Sequence, residues 1–581
     1  MSGLRTGAPG STARLSAGPG RQLHPRIRRI AEAAAQNAPL AMRTQQDFEQ
    51  FLTRHVATIA PLQQQTCEAW WKANTTGKPE YEKESARLEA AFRKLYANRD
   101  EYAALRSLLS AKTLKDPHLA RQAHLLSHAY LGNQMEPARI EAMVALEKEV
   151  ESDFNNHRAT VGNDTLTDND IKDILRHDTS SARRKAAWEG SKQIGAKVAD
   201  RVLRLVRMRN ENARELGFRD YYAMSLELQD LDETRLFDVL AQLAKLTDPL
   251  WRSFKKKLDT QLATRYKTKT EDLRPWHYSD PFFQELPKTE SFDLDRFFAG
   301  KNLEHITRDF YAAIGLDVDD ILRRSDLYER EGKCQHAFCI CIDRADDVRV
   351  LCNNKSDEYW MSTMLHEFGH AVYDKYIDRK LPYLLREPAH ILFTEAVAMF
   401  MGRLTKDAAW LERYAGVPRQ EAEQAAAALR GQQRDQLLVF VRWGLVVANF
   451  ERAMYRNPEQ DLNKLWWDLV ERYQKVIRPA RRNRPDWASK IHLATAPVYY
   501  QNYVLGEMVA SQMLHALHSK IVSGDGHKLI SDHKVGRWFV DHIFKPGTSQ
   551  HWEDILAAAS GERLNPAYLA EFLRESPVRA R

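Results

Sequence analysis

The sequence predicts a mainly α-helical protein with one small β-hairpin, on three observations. Apolar residues recur three and four apart in Phe48 to Leu62, Ser85 to Leu108, Ile140 to Phe154 and Val198 to Leu216, the spacing that lines one face of a helix. Only one interval reads as paired strands: Gln335 to Ile342 and Val348 to Leu351, flanking the turn Asp343-Arg344-Ala345-Asp346-Asp347. The chain has 581 residues, and a single core stops growing at roughly 250 to 300, so two helical subdomains are expected.

Residues 1–42, rich in Gly, Ser, Pro, Ala and Arg, read as a disordered tail, leaving 43–577 as the folded part. The net charge of +7 is concentrated there: Arg5, Arg14, Arg21, Arg26, Arg28 and Arg29 all precede Glu32, the first acidic residue. The body is nearly neutral, which argues against a nucleic-acid groove. The tail is Arg-rich and acid-poor like a transit peptide but has no apolar core like that of a secretory signal. A soluble protein is expected, cytoplasmic rather than exported.

From Thr44 to about Arg265 the pattern is a helical array. Leu216-Gly217-Phe218 supplies a stop, and Asp220 opens the next helix. Prolines and aromatics in Leu273 to Pro287 mark an irregular crossing, the hairpin follows, and helices resume to the C terminus. The most apolar run, Leu437 to Phe450, is interrupted by Arg442 and reads as a buried helix rather than a membrane span. Five cysteines are too few for a disulfide scaffold, and Cys334, Cys339, Cys341 and Cys352 lack the paired spacing of a structural zinc site.

His366-Glu367-Phe368-Gly369-His370 fits H-E-x-x-H. Ser356, Asp357 and Glu358 start its helix, and Trp360, Met361, Met364, Leu365, Phe368 and Val372 give that helix an apolar stripe. Histidines four apart project from one face, where both imidazoles reach one Zn2+, and Glu367 beside them is placed to move a proton. Five residues of this kind also arise by chance, so a third ligand decides the matter. Glu395 lies in a second apolar helix, Ile391 to Leu404, beyond the breaks at Leu381-Pro382 and Glu387-Pro388. A lone Glu in such a run is costly to bury without a partner, and a metal is a good partner. Glu387 is the alternative ligand. Asp374 is a candidate to orient an imidazole and equally a solvated surface residue.

Around these residues the chain resembles the angiotensin-converting enzyme family of peptidyl dipeptidases, in its bacterial single-domain form. The resemblance is carried by His366 to His370, Leu384-Leu385-Arg386-Glu387, Glu395-Ala396, Cys334-Gln335-His336-Ala337, Trp466-Trp467-Asp468-Leu469, Tyr473-Gln474, Lys490-Ile491-His492 and Tyr500-Gln501-Asn502-Tyr503. It is strong from about Asp326 to Leu517 and weaker over the N-terminal half. It implies a two-lobed helical shell around a deep central cleft, with one zinc held by His366, His370 and Glu395. It also implies Glu367 as general base and acid, His492 and Tyr503 on the oxyanion, His336 and Ala337 on substrate backbone, and Lys490 and Tyr500 on a C-terminal carboxylate. Lys490, Tyr500 and Tyr503 also have an ordinary structural reading: a solvated lysine and core tyrosines.

Three positions depart from the family pattern. Tyr278, two residues after Trp276, stands where the dipeptide-releasing members have Gln; Asn502 stands for a chloride-binding Arg; and Met399 stands for an Asp one turn after the Glu ligand. Arg274, close to Tyr278 in sequence, offers a second charge that would shorten the product to a single residue. The expected activity is therefore a zinc-dependent peptidase acting from the C terminus and releasing dipeptides. Single-residue carboxypeptidase action, internal cleavage like that of the thimet oligopeptidase family, and a catalytically inactive binding shell are the rivals. The expected partner is a peptide, with no nucleic acid and no membrane insertion.

Overall fold

The computed structural model describes residues 42–286 and 293–574. The tail expected at 1–42 lies outside the described residues except for Met42, which is buried in one cluster with Phe48 and Phe51. The described chain is mainly α-helical, with two small two-stranded antiparallel sheets. It forms two compact units, each assembled from three separated stretches.

The first unit takes the chain up to Met135, Leu294–Ala422 and Met513–Arg563. Its long first helix, Gln45–Thr76, starts at a capping box in which Thr44 and Asp47 satisfy each other's backbone N–H groups, and it stops at Gly77 in left-handed backbone (φ 61°). Phe48, Phe51 and Leu52 on its inner face pack with Tyr96, Leu105, Leu126 and Tyr130. The expected hairpin is present, with strands Phe338–Cys341 and Val348–Leu351 in the register Phe338 opposite Leu351. Gln335, His336 and Ala337 precede the strand instead of belonging to it. The outer edge of Val348–Leu351 is occupied: Asp326 N–H donates to Val350 O at 2.9 Å, and Asp326 O accepts from Cys352 N–H at 2.9 Å. The other edge, that of Phe338–Cys341, pairs with no further strand among the described residues.

The second unit takes Glu136–Asp293, Glu423–Gln512 and the chain from Leu564. Helical periodicity missed its hairpin, Ala159–Val161 with Asp164–Leu166, which turns at Gly162 (φ 63°). Strands of three residues are too short to show an alternation, and the Gly162-Asn163 turn was the only available signal. The irregular crossing is seen as short 3-10 turns at Thr270–Asp272 and Pro275–His277. Leu437 to Phe450 lies within the helix Arg419–Arg456 and is largely buried; Arg442 is buried with it and donates to Thr247 Oγ1 at 2.7 Å. Among the described residues no helix is long and apolar enough to cross a membrane. None of the five cysteines forms a disulfide.

Candidate metal centre and substrate-binding residues

Asp357 caps the helix Glu358–Tyr376, its carboxylate accepting the N–H of Trp360 at 2.8 Å, and this places His366 and His370 one turn apart with ring centroids separated by 5.0 Å. Glu395 sits on the neighbouring helix Ile391–Arg403. Its Oε2 is 3.7 Å from His366 Nε2 and its Oε1 is 3.8 Å from His370 Nε2. One donor atom from each of the three residues lies within 4.8 Å of the others. That is close to the spacing of three corners of a tetrahedron with arms of roughly 2.0 to 2.2 Å, so the residues present fit a single Zn2+.

Two glycines bring the helices near enough for this. A β-carbon on Gly369 would stand 2.8 Å from Ala398 Cα, and one on Gly402 would stand 3.1 Å from Ser362 O. The second contact is fixed by a hydrogen bond from Ser362 Oγ to Gly402 O at 3.0 Å. The second x residue of H-E-x-x-H, Gly369, therefore carries packing as well as spacing.

The partner of His370 Nδ1 is Thr394 Oγ1 at 2.6 Å, next in sequence to the Glu ligand. In the tautomer in which Nδ1–H donates to Thr394 Oγ1, the lone pair of Nε2 is left for a metal. Asp374, the sequence candidate to orient an imidazole, is buried rather than solvated, and His370 Nδ1 is in hydrogen-bond contact with Thr394 Oγ1. Burial pushes His366 down to about 3, which keeps the imidazole in its neutral, ligating form. Glu367 is also buried, at 2 % exposure. Glu387, the alternative ligand, is instead paired with Arg344 at 2.5 Å.

His336 is exposed and Ala337 half-buried, directly before the strand with the open edge. All of these residues belong to the first unit.

The second unit gathers the remaining predicted residues into one aromatic cluster. His492 and Tyr500 have ring centroids 5.4 Å apart, as do Tyr500 and Tyr503. Trp443 Nε1 donates to the Tyr500 hydroxyl at 2.7 Å. The Lys490 ammonium lies 5.5 Å from the Tyr500 ring centre, 5.4 Å from that of Trp443 and 5.5 Å from that of Phe282. Burial among these rings brings its pKa down to about 8. Burial and the nearby Lys490 hold His492 at about 4, so its imidazole is neutral at neutral pH.

Tyr278 and Arg274, the two positions singled out near the family's second anchor, both have partners within the protein. Tyr278 is buried, its hydroxyl donating to Asp259 Oδ1 at 3.0 Å and accepting from Lys255 Nζ at 2.8 Å, so it has nothing to offer a ligand. Arg274 spends its Nη1 on the carbonyls of Glu271 and Leu273, both at 2.8 Å. The residue that meets Lys490 is Gln284, whose Oε1 accepts from Lys490 Nζ at 2.9 Å. It was missed because it lies six residues beyond Tyr278. The available signal was Asp280-Pro281, a turn initiator. Asp280 is buried and accepts the N–H groups of Phe282 at 2.8 Å, Gln284 at 3.0 Å and Glu285 at 3.0 Å, folding the chain so that Gln284 faces the lysine.

Asn502 donates to Gln229 Oε1 at 2.8 Å, a neutral pair where the family resemblance puts an arginine.

The family model "Angiotensin-converting enzyme" matches residues 42–275, and the model "Peptidase family M3" matches residues 320–575, which include the metal triad. Angiotensin-converting enzyme of Rattus norvegicus is 22% identical over 451 residues, covering 70% of this chain and 33% of that protein. Carboxypeptidase 1 of Bacillus subtilis (strain 168) is 22% identical over 315 residues, covering 49% of this chain and 60% of that protein. The chain thus spans about a third and about three fifths of these two relatives.

Proposed function

We propose that this chain, similar over separate stretches to angiotensin-converting enzyme and to peptidase family M3, is a metallopeptidase that binds one Zn2+ and hydrolyses peptides from a free C terminus, releasing dipeptides. The observation that carries the reading is His366, His370 and Glu395 converging within 4.8 Å of one another, with Glu367 on the same helical turn.

Bound by those three residues, Zn2+ would polarise the scissile carbonyl and lower the pKa of water. Glu367 takes a proton from the attacking water and returns it to the leaving amine. His492 and Tyr503, both able to donate without carrying charge, stabilise the oxygen that becomes negative only in the transition state. His336, Ala337 and the open edge of Phe338–Cys341 suit an extended peptide added as a further strand. Lys490, with Gln284 and Tyr500 around it, holds the terminal carboxylate.

A second reading, release of single residues, is favoured by the similarity to carboxypeptidase 1. Mass spectrometry of the first products from an unblocked decapeptide, on protein of measured zinc content, tests both. A dipeptide as first product supports the proposal and a single amino acid supports the second reading. Internal fragments first, with a C-terminally amidated peptide cut equally well, sink both.

A further inference from the structure

Between His492 and Tyr503 the chain makes a sharp bend at Val498, whose backbone is left-handed (φ 55°). A β-branched residue is strongly disfavoured there, because its branches crowd the adjacent peptide, so the surroundings must hold it. They grip both sides of the residue. The Val498 N–H donates to Glu451 Oε1 at 2.7 Å, and the Val498 carbonyl accepts from Gln501 Nε2 at 2.7 Å and Gln229 Nε2 at 3.0 Å. Gln229 also accepts from Asn502, one residue before Tyr503. On the other side of the bend, Arg209 donates to Ala494 O at 2.6 Å, within the turn that begins at His492. Val498 and Glu451 are both at most 1 % exposed. A carboxyl group buried in a helix at this position is expensive unless it is used, and here it accepts the Val498 N–H.

We propose that Glu451 is a positioning residue: with Gln229 and Gln501 it clamps the Val498 peptide in left-handed form and so sets the geometry in which the chain presents His492 and Tyr503. The proposal rests on the roles assigned to those two residues above. Burial raises the Glu451 carboxyl to about 8, so it is mostly protonated at neutral pH and a glutamine is close to it in both shape and charge.

The test uses the full chain loaded with zinc. Glu451→Leu removes the acceptor at similar volume and is expected to lower kcat at least tenfold with KM within about threefold, since the oxyanion contacts act in the transition state. Glu451→Gln is expected to keep kcat within threefold of wild type. The decisive variant is Glu451→Leu with Val498→Gly: glycine adopts φ near +55° unaided, so kcat is expected to recover severalfold. A folded Glu451→Leu protein with wild-type kcat overturns the proposal, as does a double variant no better than Glu451→Leu alone. If Glu451→Leu does not fold, half-buried Gln229 provides the same test from the carbonyl side: Gln229→Ala should lower kcat and Val498→Gly should restore it, and no restoration overturns the proposal. If wild type shows no turnover, the peptidase reading fails and the clamp is judged separately by hydrogen exchange. Its Val498 amide should exchange at least tenfold faster in Glu451→Leu and be protected again in Glu451→Gln. Equal protection in all three overturns it.

Discussion

Gly369 and Ala398 approach so closely that a β-carbon on the glycine would stand 2.8 Å from the Ala398 α-carbon. The obstacle is backbone, which cannot swing aside, so Gly369→Ala must push the helix of Glu395 away from that of the two histidines. Overpacking of this kind costs about 1 to 3 kcal/mol. We expect a lower melting temperature together with weaker zinc binding, measured by competition with a chelator. Unchanged values for both would show that the helices are not held at contact distance.

Glu367→Gln preserves shape and removes the base. Zinc content should stay at one per chain while kcat falls by roughly 10² to 10⁴ or more. Near-normal turnover in a zinc-loaded variant would reassign the base. In contrast, His366→Ala, His370→Ala and Glu395→Ala should each lose the metal, because three protein ligands are the minimum for a catalytic zinc site.

Thr394→Val keeps volume and deletes the hydroxyl bonded to His370 Nδ1. Loss of such an outer partner typically weakens metal affinity 10- to 100-fold. Affinity equal to wild type in a zinc titration would mean that the histidine is oriented by something else.

Lys490→Ala and Gln284→Ala should each raise KM for peptides with a free C terminus and leave amidated peptides equally poor substrates. The Lys490 pKa of about 8 sets the sign of the pH effect. Lys490 is a cation below that pH and neutral above it, so KM should rise as pH increases through about 8. A KM that is flat from pH 7 to 9 would contradict carboxylate anchoring by Lys490.

Asn502 is bonded to the neutral amide of Gln229. We therefore expect the same turnover in chloride and in an equal ionic strength of acetate. Several-fold activation specific to chloride would show that another cation does the work of the missing arginine.

Parts of this site could be seen in the sequence because they depend on short-range geometry. His366 and His370 are four apart, and helical pitch alone makes them neighbours. Glu395 stood out as one acid in an apolar helix, and Asp357 as a cap. Thr394 was invisible because its partner, His370, lies across a helix–helix contact and a threonine in an apolar helix has no distinguishing pattern. Tyr278 was a reasonable suspect by sequence position, yet Asp280 turns the chain so that Gln284 faces Lys490 and Tyr278 turns toward Asp259. Helix content was legible from periodicity, while the assembly of each unit from separated stretches depends on packing between residues hundreds apart, which no local pattern encodes.

That assembly has a consequence for how the protein is made. The unit carrying the metal ligands includes residues 513–563 as well as 294–422. On the ribosome, the two histidines and Glu395 emerge well before the segment that completes their unit. A nascent chain arrested before residue 513 lacks part of that unit, so its metal-binding helices await partners not yet synthesised. Synthesis order thus delays completion of the unit that carries the metal ligands until residues 513–563 have emerged.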